Sequence, residues 1–179
     1  MDKSAKKLIF SIVYAIVLVS AFVGVFQLLF NGIEMMTYVS IQGRFFFKVQ
    51  RPQAIILIVG AAIAFLGVIL GIIVSCCKNK VVKIICYSLS LAVLISFIIL
   101  ILRCDVYWLE FYDLYGNSQP DYNPLVSFTR DVYPIYSTVK SMLISQTVYF
   151  GIMLALYIWD LVRALRKKSL TDQDNLPVA

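Results

Sequence analysis

AIILIVGAAIAFLGVILGIIVS, residues 54–75, runs for a full 22 positions with no charge and nothing more polar than its closing serine. At about 1.5 Å of rise per residue it makes a helix about 33 Å long, enough to cross a hydrocarbon core about 30 Å thick. Lipid offers a backbone no hydrogen-bond partner, so a stretch of this kind must satisfy its own amides as a helix. Outward from it lie three more apolar runs, Leu8–Phe30, Ile84–Leu102 and Met142–Trp159, separated by polar segments. The pattern predicts an all-α integral membrane protein, a bundle of four transmembrane helices. Its spans are expected at about 8–30, 54–75, 84–102 and 142–163, in one membrane domain, 1–168, with a short polar tail at 169–179.

Composition narrows the function classes. Of 179 residues, 61% are hydrophobic and 15% charged, against about 25% charged in soluble domains, so no length remains for a separate soluble catalytic domain. Histidine is absent, which removes the commonest general base and the usual zinc and haem ligand together. No Cys-x-x-Cys, His-Glu-x-x-His, Gly-x-Ser-x-Gly or phosphate-cradling glycine loop occurs. The expectation is a protein that is not an enzyme and has no cofactor or metal.

The net charge of +6 lies at the ends of the spans, which points to the membrane surface rather than to nucleic acid. Lys3, Lys6, Lys7, Lys78, Lys80, Lys83, Arg163, Arg166, Lys167 and Lys168 share one side, ten in all. Arg44, Lys48, Arg51, Arg103, Arg130 and Lys140 make six on the other. The richer side is expected to be cytoplasmic, which places both termini there. The first run is longer than the apolar core of a cleavable signal, about 7–15 residues, and reads as a retained helix. Ionisable residues keep to the span ends. Asp160 and Arg163 are placed to pair with each other, and Gln27 and Gln146 to hydrogen-bond between helices.

Cys76 and Cys77 sit side by side at the expected cytoplasmic edge of the second span, beside Lys78 and Lys80. Juxtamembrane cysteines are candidates for S-palmitoylation. Cys86 lies within the third span and Cys104 at its far end, about 27 Å further along a helix, so no internal crosslink is expected between them.

Small residues recur at Gly60, Ala64, Gly67 and Gly71, spaced along one helical stripe where backbones can approach closely. Ser20 and Gly24, then Ser88, Ala92 and Ser96, then Gly151 and Ala155, offer similar surfaces on the other spans. In the first outer loop, 31–53, β-branched and aromatic residues flank a Gln-Gly pair, which suggests a small β-hairpin over 37–49. The second outer loop, about 103–141, begins as a continuation of the third helix through Leu114 with Gly116 and Asn117 as a stop. Pro120, Pro124 and Pro134 then break it, and Ser137, Thr138 and Ser141 are candidates to cap the fourth helix. Phe45, Phe46, Phe47, Trp108, Tyr112 and Tyr115 are candidate partner contacts, since such aromatics favour both membrane boundaries and protein interfaces.

Four spans, a tiny inner loop, a smaller first outer loop and a larger second one resemble tetraspanin, claudin and MARVEL-type proteins in topology. Cys76-Cys77 is similar to tetraspanin palmitoylation sites. Tetraspanins also carry Cys-Cys-Gly in the large outer loop, where this chain has only Cys104. Claudins carry tryptophans and cysteines in the first loop, where residues 31–53 have neither. No family follows from the topology. The function expected is that of an organiser or accessory subunit of other membrane proteins, in contact with the bilayer and with another membrane protein or a second copy of itself. The alternative is an oligomeric channel or transporter subunit.

Overall fold

The computed structural model describes residues 3–37, 50–77, 79–116 and 133–174. They form four helices: α1 (Lys3–Thr37), α2 (Arg51–Cys76), α3 (Lys80–Gly116) and α4 (Tyr133–Asp174). All four are long and apolar enough to cross a membrane, over Leu8–Thr37, Arg51–Cys76, Lys80–Leu109 and Tyr136–Trp159. Among the described residues there is no strand. The expected β-hairpin falls on residues outside those described, except that Thr37 closes α1 as helix.

The helices pack antiparallel in a ring, α1 on α2, α2 on α3, α3 on α4 and α4 on α1, and α2 also meets α4 across the diagonal. The start of α1 and the end of α4 therefore lie at one end of the bundle, called here the terminal end, opposite the loop end. Half of the α2 span is buried, against 22% of α1 and 17% of α3, so α2 is the central element. Apolar residues cover every face of these helices, and the choice between inside and outside rests on size and shape. On α1, Tyr14, Val17, Ala21, Val25 and Leu28 turn inward, while Ile12, Ile16, Val19, Val23, Phe26 and Phe30 turn outward.

The small stripe of α2 makes the diagonal contact possible. Gly60 faces Leu143, Gly67 faces Phe150 and Val93, and Gly71 faces Met153, Leu18 and Tyr14; Ala64 is fully buried beside them. Lipid is as apolar as leucine, so association depends on van der Waals contact, and missing Cβ atoms bring α4 close enough to make it. Phe97 and Phe150 stack at 5.6 Å in the middle of this core.

The helix ends correct several expectations. Asn31 and Gly32 do not open a loop: a Cβ at Gly32 would lie 2.7 Å from Ile58 Cγ1 and 3.2 Å from the Ala54 carbonyl, so this glycine admits α2 and α1 continues to Thr37. The fourth helix begins at Tyr133, ahead of Ser137, Thr138 and Ser141, which therefore lie within it and do not cap it. Pro134 stands in its first turn, where proline removes no helical hydrogen bond. At its other end α4 runs through residues 169–174 of the expected tail, since no glycine or proline occurs from 152 to 176 to stop it. The α3 helix ends at Gly116, where its glycine predicts. The turn between α2 and α3 is tight, and the Asn79 side chain accepts a 2.9 Å hydrogen bond from the Val81 amide to cap α3.

Candidate functional site

Two polar clusters interrupt the apolar bundle, one near each end. At the terminal end, Tyr14 from α1 donates a 2.7 Å hydrogen bond to the Gly71 carbonyl of α2. The Tyr157 hydroxyl of α4 lies 3.1 Å from the same carbonyl and within hydrogen-bond reach of the Tyr14 hydroxyl. Ser75 donates to that carbonyl as well, at 3.0 Å. The Tyr157 ring rests between those of Tyr14 and Tyr87, at 5.4 and 5.1 Å. One backbone oxygen thus gathers side chains from two other helices, and Tyr87 brings in α3. Gly71 has a place here beyond packing, because a Cβ there would press on the Tyr14 hydroxyl at 3.1 Å as well as on Met153 at 2.5 Å.

At the loop end, Asp105 of α3 forms a 2.8 Å ion pair with Lys140 of α4 and accepts a hydrogen bond from the Tyr136 hydroxyl. Lys140 also donates to Tyr136 at 3.0 Å. Trp108 stacks on Tyr136 with centroids 4.7 Å apart. Beneath them the buried Cys104 thiol donates to the Gln53 side-chain oxygen at 3.2 Å, and Gln50 donates to the Met35 carbonyl at 3.0 Å. These contacts join all four helices at one level. Side chains of the ion pair are about one-third exposed (32% and 33%), so the pair bridges α3 and α4 at the surface of the bundle rather than in its core.

The expected site residues divide into those the structure places and those outside the described residues. Gly60, Ala64, Gly67 and Gly71 face inward and are covered by the chain's own helices. Cys76 is exposed at the end of α2, Cys77 is half-buried, and Cys86 and Cys104 are buried; all four are free thiols. Trp108 already uses one ring face on Tyr136. Tyr112 and Tyr115 belong to the last turns of α3, and Phe45, Phe46 and Phe47 lie outside the described residues. So do the side chains of Asp160 and Arg163.

Gln27 and Gln146 do not pair. Gln27 is exposed, whereas Gln146 is 2% exposed and fills the notch at Gly24, where a Cβ would collide with its amide. Its side-chain oxygen has no hydrogen-bond partner among the described residues.

The tyrosine cluster and the Asp105–Lys140–Tyr136 network were not legible as sites. Tyrosines 14, 87 and 157 are far apart in sequence and sit among residues that look like any other span. Among the described residues no three of His, Cys, Asp and Glu converge. Compared with protein-family models, curated proteins and solved structures, the chain finds no match in any of the three.

Proposed function

We propose that this four-span membrane protein acts without catalysis, as an organiser or accessory subunit that binds another membrane protein, or a second copy of itself, within the bilayer. The observation that carries the reading is an outward stripe of small residues on α3. Ser88 and Ala92 are exposed and Ser96 is half-buried, so the chain's own bundle leaves this stripe uncovered. Both serine hydroxyls bond back into their own helix, Ser88 to the Ile84 carbonyl at 3.2 Å and Ser96 to the Ala92 carbonyl at 2.8 Å. The stripe therefore offers close backbone approach without a polar penalty. On α4, Gly151 has nothing within 4 Å of where a Cβ would be, and Ala155 is exposed. The inward glycines of α2 are occupied, which moves the expected docking faces to α3 and α4. The aromatic outer loops supply specificity in this reading, and acylation of the exposed Cys76 and adjacent Cys77 adds a lipid anchor at the terminal end.

The test is a Ser88→Leu/Ala92→Leu/Ser96→Leu variant, used for affinity capture in mild detergent and for reconstitution. Wild-type protein is expected to retain a defined partner, or to self-associate, and the variant to lose it at unchanged fold stability. Wild-type liposomes are expected to show no ion or solute flux. Retention unaffected by the leucines removes the docking face. Selective flux replaces the reading with an oligomeric channel or transporter subunit.

A further inference from the structure

The outward face of α1 carries an amide that the chain's own bundle leaves unpaired. Gln27 is exposed. Apart from the helical backbone ladder it takes part in one hydrogen bond, which its main-chain carbonyl accepts from the Asn31 side chain at 2.7 Å. Its own side chain therefore has no hydrogen bond among the described residues. We propose that α1 pairs in parallel with α1 of a second copy of this chain, and that the two Gln27 side chains hydrogen-bond to each other across a two-fold axis. The face is distinct from the small-residue stripes of α3 and α4, and the inference does not depend on what those stripes bind.

Depth makes the unpaired amide costly. Gly60 packs on Leu28, so Gln27 stands at a level about nine helical steps, or about 13 Å, inside Arg51, where the α2 span begins. On its own helix the nearest ionisable residue, Glu34, lies seven steps further out, about 10 Å. A glutamine side chain does not reach water over that distance, and hydrocarbon offers it no partner. Polar groups so placed face an interior or another helix. This one does not face the interior.

A second copy supplies what is missing. Both copies sit in the membrane in one orientation, so about a two-fold axis along the membrane normal each residue meets its own counterpart at the same depth. An amide carries an acceptor oxygen and a donor nitrogen, and two of them satisfy each other reciprocally. The matching group thus arrives at the right height by construction.

The residues around Gln27 fit a helix pair. Val13, Ile16, Ser20, Val23, Gln27 and Phe30 alternate spacings of three and four, the period of a left-handed two-helix seam. Val13, Ile16, Val23 and Phe30 are exposed, and Ser20 is half-buried. In this register Gln27 takes an a position, where a polar residue sets parallel pairing and register. Ser20, one heptad earlier, is small enough to let the backbones close. Spacing alone would decide nothing on a helix that is apolar all round; the amide selects this face. Phe22 points about 140° away from it. Glu34, two turns on, meets its counterpart near the water boundary, where salt screens the repulsion.

The test is fluorescence transfer between copies of the full chain, tagged at the C-terminus and reconstituted in phosphatidylcholine liposomes over a range of dilutions in lipid. Wild type is expected to form a dimer. Gln27→Leu should need about 3- to 30-fold more protein per lipid to do so, as for loss of an interhelical amide bond. Gln27→Asn keeps an amide and stays close to wild type. In a Cys76→Ser/Cys77→Ser background, copper phenanthroline is expected to link Val23→Cys copies and not Phe22→Cys copies, although both positions are exposed. The Ser88→Leu/Ala92→Leu/Ser96→Leu variant keeps this dimer, which separates the α1 face from the α3 stripe. Unfolding in sodium dodecyl sulfate verifies that each variant is folded. A wild-type chain that stays monomeric, a dimer that Gln27→Leu leaves at full strength or that the α3 leucines abolish, or linkage through Phe22→Cys as readily as through Val23→Cys overturns the proposal.

Discussion

Gly67→Ala adds one methyl group and is expected to be the most disruptive of the glycine-to-alanine changes on α2. Its Cβ would lie 2.5 Å from Phe150 Cε1, 2.8 Å from Cζ and 3.1 Å from Val93 Cγ1, against about 3.5–4.0 Å for comfortable carbon contacts. The Phe150 ring is itself buried and stacked against the fully buried Phe97, so it cannot give way as a flexible chain end would. Overpacking of this kind costs about 1–3 kcal/mol, so roughly a five- to 150-fold shift toward the unfolded state. Alanine's helical advantage offsets little of it, because unfolded spans in a micelle or bilayer remain helical. Gly60→Ala meets only flexible leucine tips, Leu143 at 3.3 Å and Leu100 and Leu28 at 3.7 Å, and Gly151→Ala meets nothing within 4 Å, so both are expected to fall within about 0.5 kcal/mol of wild type. Sodium dodecyl sulfate titration in mixed micelles measures the order, with the near-ultraviolet signal of the stacked Trp108–Tyr136 pair as reporter of tertiary structure. Phe150→Leu supplies the control: Gly67→Ala in that background should cost about 1 kcal/mol less than in wild type, since the two sites share one space. Wild-type stability for Gly67→Ala, or an equal loss for Gly151→Ala, would refute the diagonal packing of α2 on α4.

The other predictions concern the polar groups. Tyr14→Phe and Tyr157→Phe are each expected to lower stability by about 0.6 kcal/mol, the usual worth of an interhelical hydrogen bond in lipid; a double-mutant cycle should show the two losses to be non-additive, and strict additivity would separate the hydroxyls. Gln146→Met replaces a buried amide whose oxygen has no partner among the described residues with an apolar chain of similar length, and should raise the unfolding midpoint by the equivalent of about 1 kcal/mol; a loss instead would show that the oxygen has a partner. Lys140→Met should cost about 1 kcal/mol or less, as befits a part-exposed ion pair, with the exchange Asp105→Lys/Lys140→Asp recovering most of it in the same titration. Maleimide should modify Cys76 and Cys77 in folded protein well before the buried Cys86 and Cys104, and reaction of all four at one rate would contradict their burial.

What could be read from the chain alone was the class of structure. A bilayer demands a fixed length of apolar helix, and four runs of that length, with turns of few residues between α2 and α3, leave little choice but an antiparallel four-helix arrangement. The small stripe of α2 was visible for the same reason, since 3.6 residues per turn place Gly60, Ala64, Gly67 and Gly71 on one side whatever lies opposite. Which side is inside was not visible, because nearly every residue on every face is apolar and hydropathy cannot distinguish a lipid tail from a leucine. Only packing decided that α2 is central, that Gly32 is a contact and not a turn, and that Gln146 faces inward while Gln27 does not. The same holds for the clusters. Tyr14, Gly71 and Tyr157, or Gln53 and Cys104 beside Asp105 and Lys140, come from separate helices, and their meeting depends on helix rotation and relative height, which are set by side-chain shape across the whole interface.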